Sequence, residues 1–351
     1  MTPDPSARSG PATLEQVAAL AGVSRSTVSR VVTGSPRVSD AARRAVEAAV
    51  AELGYVPNRA ARSLATRRTG TIALVVAEPE TRVFDEPFFA GIVRGVGAAV
   101  GRTDLQLALL MTGSDPDGDP DGAHGRARVG GYLAGGHVDG ALLLSLHADD
   151  PLPRRLVDAG LPLVIGGRPD GADLAVSWVD ADNRGGARLA TEHLLAQGRR
   201  RIGIVTGPPD MVAGRDRLAG FREAMAAADR PTPPEREAVG DFTRDGGERA
   251  MARLLAQAPD VDGVVVASDL AALGALQVLA GAGRTVPDDV AVVGFDDSLV
   301  AASAQPPLTT VRQPVEAMGA RMVELLCAQL QGEHMLRHEV LPTELVVRAS
   351  A

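Results

Sequence analysis

The chain has no lysine, a single cysteine and no long apolar run, and each shortage excludes something. Cys327 cannot close an internal disulfide, and its place in the apolar stretch Met322 to Leu330 reads as a small core side chain on a helix. No apolar run approaches the roughly 20 residues that cross a bilayer. Met1 to Pro11 lacks the apolar segment of an export signal, so the chain reads as cytoplasmic with no membrane partner. Without lysine there is no P-loop. A G-x-S-x-G elbow and a G-x-G-x-x-G turn after the first strand are missing as well, so nothing offers a nucleophile or a dinucleotide site. The expectation is a protein that is not an enzyme and needs no cofactor. All 36 basic residues are arginine, which in a chain rich in Ala, Arg, Gly and Pro reflects genome composition and carries no functional weight.

What is present divides unevenly. At 351 residues and 45% apolar content the chain can bury a sizeable core and divides into two or three domains. The net charge of -8 is not spread evenly: residues 1–70 hold ten arginines against Asp4, Glu15, Asp40, Glu47 and Glu52, whereas residues 71–351 hold 26 basic and 39 acidic groups. A head of charge +5 joined to a body of charge -13 points the head at nucleic acid.

Thr13-Leu14-Glu15-Gln16 is a capping box that starts a helix. Leu14, Val17, Ala18 and Ala21 form its apolar stripe, Gly22 supplies a tight turn, and Ser24 caps a second helix, Arg25 to Val32. Val28, Val31 and Val32 are expected to face inward, leaving Arg25, Ser26, Ser29 and Arg30 on a polar outer face. Two short helices joined through a glycine make a helix-turn-helix candidate, whose second helix can place arginine forks on guanine edges. A third helix from Ser39, with Ala42, Val46, Ala49, Val50 and Leu53 inward, ends at Gly54. Asn58 to Ala65 could form two helical turns, but Leu64 is its one sizeable apolar group, too little to stabilise a helix alone.

From Thr71 the pattern changes to short β-branched runs (Ile72–Ala77, Leu105–Met111, Gly140–Leu146, Leu163–Gly166, Ile202–Thr206, Gly263–Ala267, Val290–Gly294) alternating with amphipathic helices. That alternation means parallel sheets covered on both faces, with enough units for two.

The run Thr13 to Gly70, with Ala21-Gly22-Val23-Ser24, Thr27-Val28-Ser29-Arg30-Val31-Val32 and Ala61-Arg62-Ser63-Leu64, resembles the lactose-repressor (LacI/GalR) family, and the body resembles that family's core. The resemblance implies a small all-α helix-turn-helix head on an α/β periplasmic-binding-protein-like core of two doubly wound parallel-sheet lobes. It implies a flexible tail over 1–12, a DNA-binding domain over 13–57 and a hinge helix and linker over 58–70. Three crossings near Val179, Gln313 and Val340 assign residues 71–178 and 313–339 to one lobe and 179–312 and 340–351 to the other. In the head, Arg25, Ser26 and Arg30 would read the major groove, Thr27 and Ser29 would sit on phosphates, and Ser24, Asn58 and Arg62 complete the contacting set. Leu64 would be a minor-groove wedge on a hinge that folds only on operator.

In the core, Arg215 matches the arginine that grips the effector, Phe242 the ring that stacks on it, and Asp296 the acid that accepts hydrogen bonds from it. Phe88, Ser145 and Arg168 occupy comparable places on the other lobe. Charged forks beside an aromatic plate suit a sugar, and a purine or nucleoside fits the same set. The partners implied are a palindromic DNA operator, a small-molecule effector and a second copy of the chain. A solute-binding protein is the rival reading, and the intact head argues against it. The segment Glu78 to Glu86 is longer than the short acidic loop typical of the family, so its contacts need not follow the family pattern.

Two metal signatures fail. Asp117 to Gly122 opens like a calcium loop, but Arg128 stands where a bidentate acid is needed. His334 and His338 lack a completing acid and lead into a strand, so no metal site is expected.

Overall fold

The computed structural model describes residues 12–32, 37–55, 68–113, 123–171 and 173–351. It divides into two units, residues 1–70 and Thr71–Ala351. The hinge positions Asn58, Arg62 and Leu64 and the Asp117–Gly122 segment lie outside the described residues.

The head unit contains α1 (Leu14–Ala21), α2 (Arg25–Val32) and α3 (Asp40–Leu53). Both halves of the capping box form: Gln16 N donates to Thr13 Oγ1 at 3.3 Å and Thr13 N donates to Gln16 Oε1 at 2.9 Å. Gly22 and Gly54 end their helices at φ 65° and 60°, a left-handed geometry that favours glycine. Val17, Ala18, Val28, Val31, Val46, Ala49 and Tyr55 close the core. Leu53, expected inside, is exposed, because the chain turns at Gly54 and seats Tyr55 in the core in its place.

The body is two six-stranded sheets. The first contains β1 (Thr71–Val76), β2 (Gln106–Met111), β3 (Gly140–Leu144), β4 (Leu163–Gly166) and β5 (Ser177–Ala181), joined late in the chain by β11 (His338–Leu341). Around it lie α4 (Glu80–Asp85), α5 (Pro87–Val100), α6 (Ala123–Ala134), α7 (Leu152–Asp158) and α13 (Val315–Leu330). The second contains β6 (Ile202–Thr206), β7 (Glu237–Val239), β8 (Gly263–Val266), β9 (Ala291–Asp296), β10 (Thr309–Arg312) and β12 (Glu344–Val346). It carries α8 (Asn183–Ala196), α9 (Val212–Ala227), α10 (Arg244–Gln257), α11 (Asp269–Gly281) and α12 (Leu299–Ser303).

The strand orders, β11-β5-β4-β3-β1-β2 and β12-β10-β9-β8-β6-β7, repeat one doubly wound topology. Each reverses direction at its first strand, where a crevice opens beyond the carboxyl ends of the strands. Central strands are apolar on both faces because helices cover both, as the fully buried β3, β4, β6 and β8 illustrate. Every ladder is parallel except β12 on β10, which is antiparallel and departs from the all-parallel expectation.

The first and third crossings fall later than the sequence placed them. Pairing of β11 with β5 runs through Val340↔Asp180 and Leu341↔Ala181, so the first lobe keeps its chain to Ala181 and again to Leu341. The second crossing lies between β10 and α13, at Gln313-Pro314.

Candidate functional site

The head presents α2 as a polar face. Ser24, Arg25, Ser26, Ser29 and Arg30 are exposed and Thr27 is half-buried, while Val28 and Val31 anchor the opposite side. Ser24 Oγ accepts from Thr27 N at 3.2 Å and lies 2.8 Å from Ser26 Oγ and 2.9 Å from Thr27 Oγ1, which gathers hydroxyls at a helix N-terminus. Such a terminus favours phosphate oxygens. Arg25 pairs with Glu15 at 3.0 Å, both side chains being exposed, so water or a nucleic acid can exchange for that pair at small cost.

Between the two sheets lies a cavity of about 110 Å³, whose walls come from both lobes. The second lobe supplies Arg217, Phe242, Ser268 and Asp296, and the first supplies Phe88, Ser145, Arg168 and Asp180. Asn183 and Gln313 line it beside two of the crossings. Five of the six positions expected from the sequence therefore meet here: Phe88, Ser145, Arg168, Phe242 and Asp296.

Arg215 does not. Its guanidinium pairs with Asp170 at 2.6 Å and donates to Pro209 O at 3.1 Å outside the cavity lining. Two residues along a helix is about 200°, so of the arginines at 215 and 217 one must turn away from whatever the other faces. Arg217 shares the buried stripe with Gly214, Gly220, Phe221 and Ala224. Those i±3, i+4 and i+7 relationships were visible in the sequence and identify Arg217 as the inward arginine.

Arg217 is held on every side. Its guanidinium carbon lies 3.7 Å from the Phe295 ring centroid and 5.3 Å from that of Phe242. Nε donates to Asn183 Oδ1 at 2.9 Å, Nη1 donates to Ala267 O, and Nη1 lies 3.7 Å from Asp296 Oδ1. Burial pulls its pKa down and the neighbouring acids oppose that. Asp296 accepts from Gln313 Nε2 at 2.6 Å. Behind it Asp269 accepts from Thr310 Oγ1 at 2.6 Å and Ser298 N at 2.7 Å. Burial pushes both carboxyls up, Arg217 and Gln313 restrain Asp296, and Asp296 itself adds to the rise at Asp269.

Asp180, which sequence reasoning did not single out, stands 6% exposed in the wall, accepts from Asn183 Nδ2 at 3.1 Å, and is pushed up to about 6 by burial. Glu86, another wall residue, rises to about 7 through burial, against the pull of Arg82. Three of the five non-glycine residues with positive φ among those described are Ser145 (60°), Phe242 (69°) and Asp296 (117°). Strain of this kind, about 1 to 3 kcal/mol each, persists where the surroundings dictate a side-chain position. For Phe242 the dictating neighbour is Gly207, where an added Cβ would stand 2.1 Å from the ring.

Within the segment Glu78–Glu86, Glu80–Asp85 fold as α4. Arg82 bonds Glu78 at 3.0 Å and Glu86 at 2.6 Å, and its Nη2 donates across the cleft to Asp241 O at 3.1 Å. Glu78 accepts from Ser145 Oγ at 2.5 Å, and although burial pushes its carboxyl up, His147, Arg82 and Ser145 together hold it below the usual range. No cluster of metal-ligating side chains occurs among the described residues. No helix of the described residues is long and apolar enough to cross a membrane.

Residues 13–58 match the family model for bacterial regulatory proteins of the lacI family, and residues 191–351 match that for a periplasmic binding protein-like domain. The chain is 55% identical over 340 residues to the HTH-type transcriptional regulator CelR of Thermobifida fusca, spanning 96% of this chain and 98% of that one. A solved transcriptional regulator CelR–cellobiose complex superposes with a TM-score of 0.77 at 53% identity, covering 97% of this chain and all of the other. The lac repressor dimer bound to operator and the anti-inducer ONPF superposes with a TM-score of 0.83 at 28% identity, covering 97% and 99%.

Proposed function

Since the chain belongs to the lacI family of bacterial regulatory proteins, we propose that it is a sugar-responsive repressor that holds a palindromic operator as a homodimer and answers to a short β-linked glucoside of the cellobiose type. One observation carries the ligand class: 55% identity to CelR along nearly the whole chain, with a CelR–cellobiose complex sharing the fold around a cavity that here pairs aromatic plates with acid and amide acceptors. The chemistry agrees. Apolar faces of a pyranose stack on Phe242 and Phe88, while its hydroxyls can pair with Asp296, Asp180, Asn183, Gln313 and Arg217. The protein works in the cytoplasm, without catalysis.

On DNA, Arg25, Ser26 and Arg30 read base edges and Ser24, Thr27 and Ser29 seat α2 on phosphates. Asn58, Arg62 and the wedge Leu64 engage the minor groove from each subunit. Binding of sugar between the lobes rearranges the paired cores, separates the two wedges and lowers operator affinity. Linkage then requires operator to weaken sugar binding by the same factor. The test is a gel-shift or anisotropy titration of operator fragments against cellobiose, glucose, ribose, adenosine and guanine. Release by cellobiose alone supports the reading, and release by a purine or nucleoside with indifference to every sugar rejects it.

A further inference from the structure

The cavity between the sheets continues into a second hollow. Pro87, Phe88, Asp296, Ser298 and Gln313 line both, and the outer space, of about 540 Å³, opens between α4, the start of α13 and the turn after β9. The two share a rim and form one cleft. Size makes the outer part necessary: 110 Å³ falls short of the roughly 300 to 1,000 Å³ of small-molecule sites, and the adjoining groove brings the cleft into that range.

Two exposed apolar side chains line this groove. Phe84 on α4 is 70% exposed and Leu299 at the start of α12 is 87% exposed. A lone exposed apolar side chain needs no explanation, but two lining one groove that runs on from a ligand cavity mark a contact surface. Phe84 is firmly presented: its neighbour Val83 is buried in the first lobe's core, and Arg82 ties the helix to Glu78, Glu86 and Asp241 O. Four residues on, Phe88 is fixed at the rim by an edge contact with buried Phe89, ring centroids 5.4 Å apart. An aromatic plate at the rim is thus joined by a second plate in the mouth. The groove's arginines are already paired, Arg94 with Glu316 at 2.8 Å and Arg312 with Asp297 at 2.6 Å, and two arginines against four acids disfavour an anion. An uncharged ligand with apolar faces and many hydroxyls fits what remains.

We propose that this groove is an outer sugar subsite: a β-linked oligosaccharide places one ring in the cavity and an outer ring against Phe84, so the protein prefers two or more rings to one. The inference rests on the saccharide reading above and adds where the outer ring goes. The plate comes from α4, in the segment whose length departs from the family pattern, and Leu299 lines the same space from the other lobe. Burying an aromatic face under a pyranose removes apolar surface from water on both partners, and a monosaccharide confined to the cavity gains none of it.

The test is calorimetric titration of the full-length protein with glucose, cellobiose and cellotriose, repeated with Phe84→Ala and Phe84→Tyr, with sugar-free operator affinity and dimer mass from light scattering measured alongside. The wild type is expected to bind cellobiose and cellotriose at least about tenfold more tightly than glucose. Phe84→Ala should lose about five- to tenfold on both oligomers and less than about twofold on glucose, while Phe84→Tyr, which keeps the ring, should stay within about twofold of the wild type throughout. Equal wild-type affinity for glucose and cellobiose overturns the subsite, as does unchanged affinity of Phe84→Ala for both oligomers. Loss of the dimer or of sugar-free operator affinity in Phe84→Ala overturns it as well and makes Phe84 a contact between copies of the chain. A wild type that binds none of the three sugars overturns the saccharide reading itself, a failure distinct from holding one ring as tightly as two.

Discussion

Truncating one or the other of two arginines two residues apart should have very different consequences. Arg217 is 5% exposed and gives hydrogen bonds to Asn183 and Ala267 while stacking on Phe295 beside Asp296. Hydrogen bonds from a charged donor are worth about 1.5 to 3 kcal/mol, so removing the group that also meets the ligand predicts roughly a 10- to 150-fold rise in the Kd for cellobiose. Arg217→Ala also removes the cation beside Asp296 and leaves Asn183 Oδ1 and Ala267 O without their donor, so Arg217→Gln, which keeps a donor, is the safer variant for the binding measurement. The Arg215–Asp170 pair has side chains 38% and 41% exposed, and an exposed pair contributes about 0.2 to 1 kcal/mol. Arg215→Ala should therefore raise the Kd by less than about fivefold. Isothermal titration of both variants, with melting temperatures as a folding control, decides between them. Equal losses, or a larger loss at Arg215, would refute the placement of Arg217 in the cavity.

Further outcomes are expected. Asp296→Asn should abolish the response of operator binding to sugar while sparing sugar-free operator affinity in an anisotropy assay. Glu86 has its carboxyl raised from 4.5 to about 7 by burial, so its contribution to stability is fully present below pH 4.5 and falls as pH rises through about 7. That contribution is of order 3 kcal/mol, and thermal unfolding of Glu86→Gln between pH 4.5 and 8 should show a flatter profile than the wild type. Arg30→Ala should weaken specific operator binding by about 1 to 3 kcal/mol and relax discrimination at one base pair, read from competition with mutated operators.

Much of the fold was legible because local signals agreed with the final packing. The capping box at Thr13, the glycine turns and the valine stripe of α2 each specify the head without help from distant residues. In the core, continuous apolar runs such as Gly140–Leu144 and Gly263–Val266 announce doubly covered strands. What escaped was what tertiary context decides. The strand Ser177–Ala181 carries Ser177 and Asp180 among its five residues, so its composition hides both an inner strand and a cavity acid. The edge strands β11 and β12 are short and half-exposed, and the pairing of β11 with β5 moved the first and third lobe boundaries to Ala181 and Leu341. Helix α4 has six residues and no periodicity long enough to read. The choice of Arg215 over Arg217 followed the motif and ignored the helix phase, which Gly214, Gly220 and Phe221 set.

The account turns on coupling between a sugar held in the core and DNA held by the head. The direct measurement is the Kd for cellobiose with and without saturating operator duplex. A lower affinity in the presence of operator, by the same factor by which cellobiose lowers operator affinity, is the predicted result. Sugar binding of undiminished affinity on operator-bound protein would contradict it.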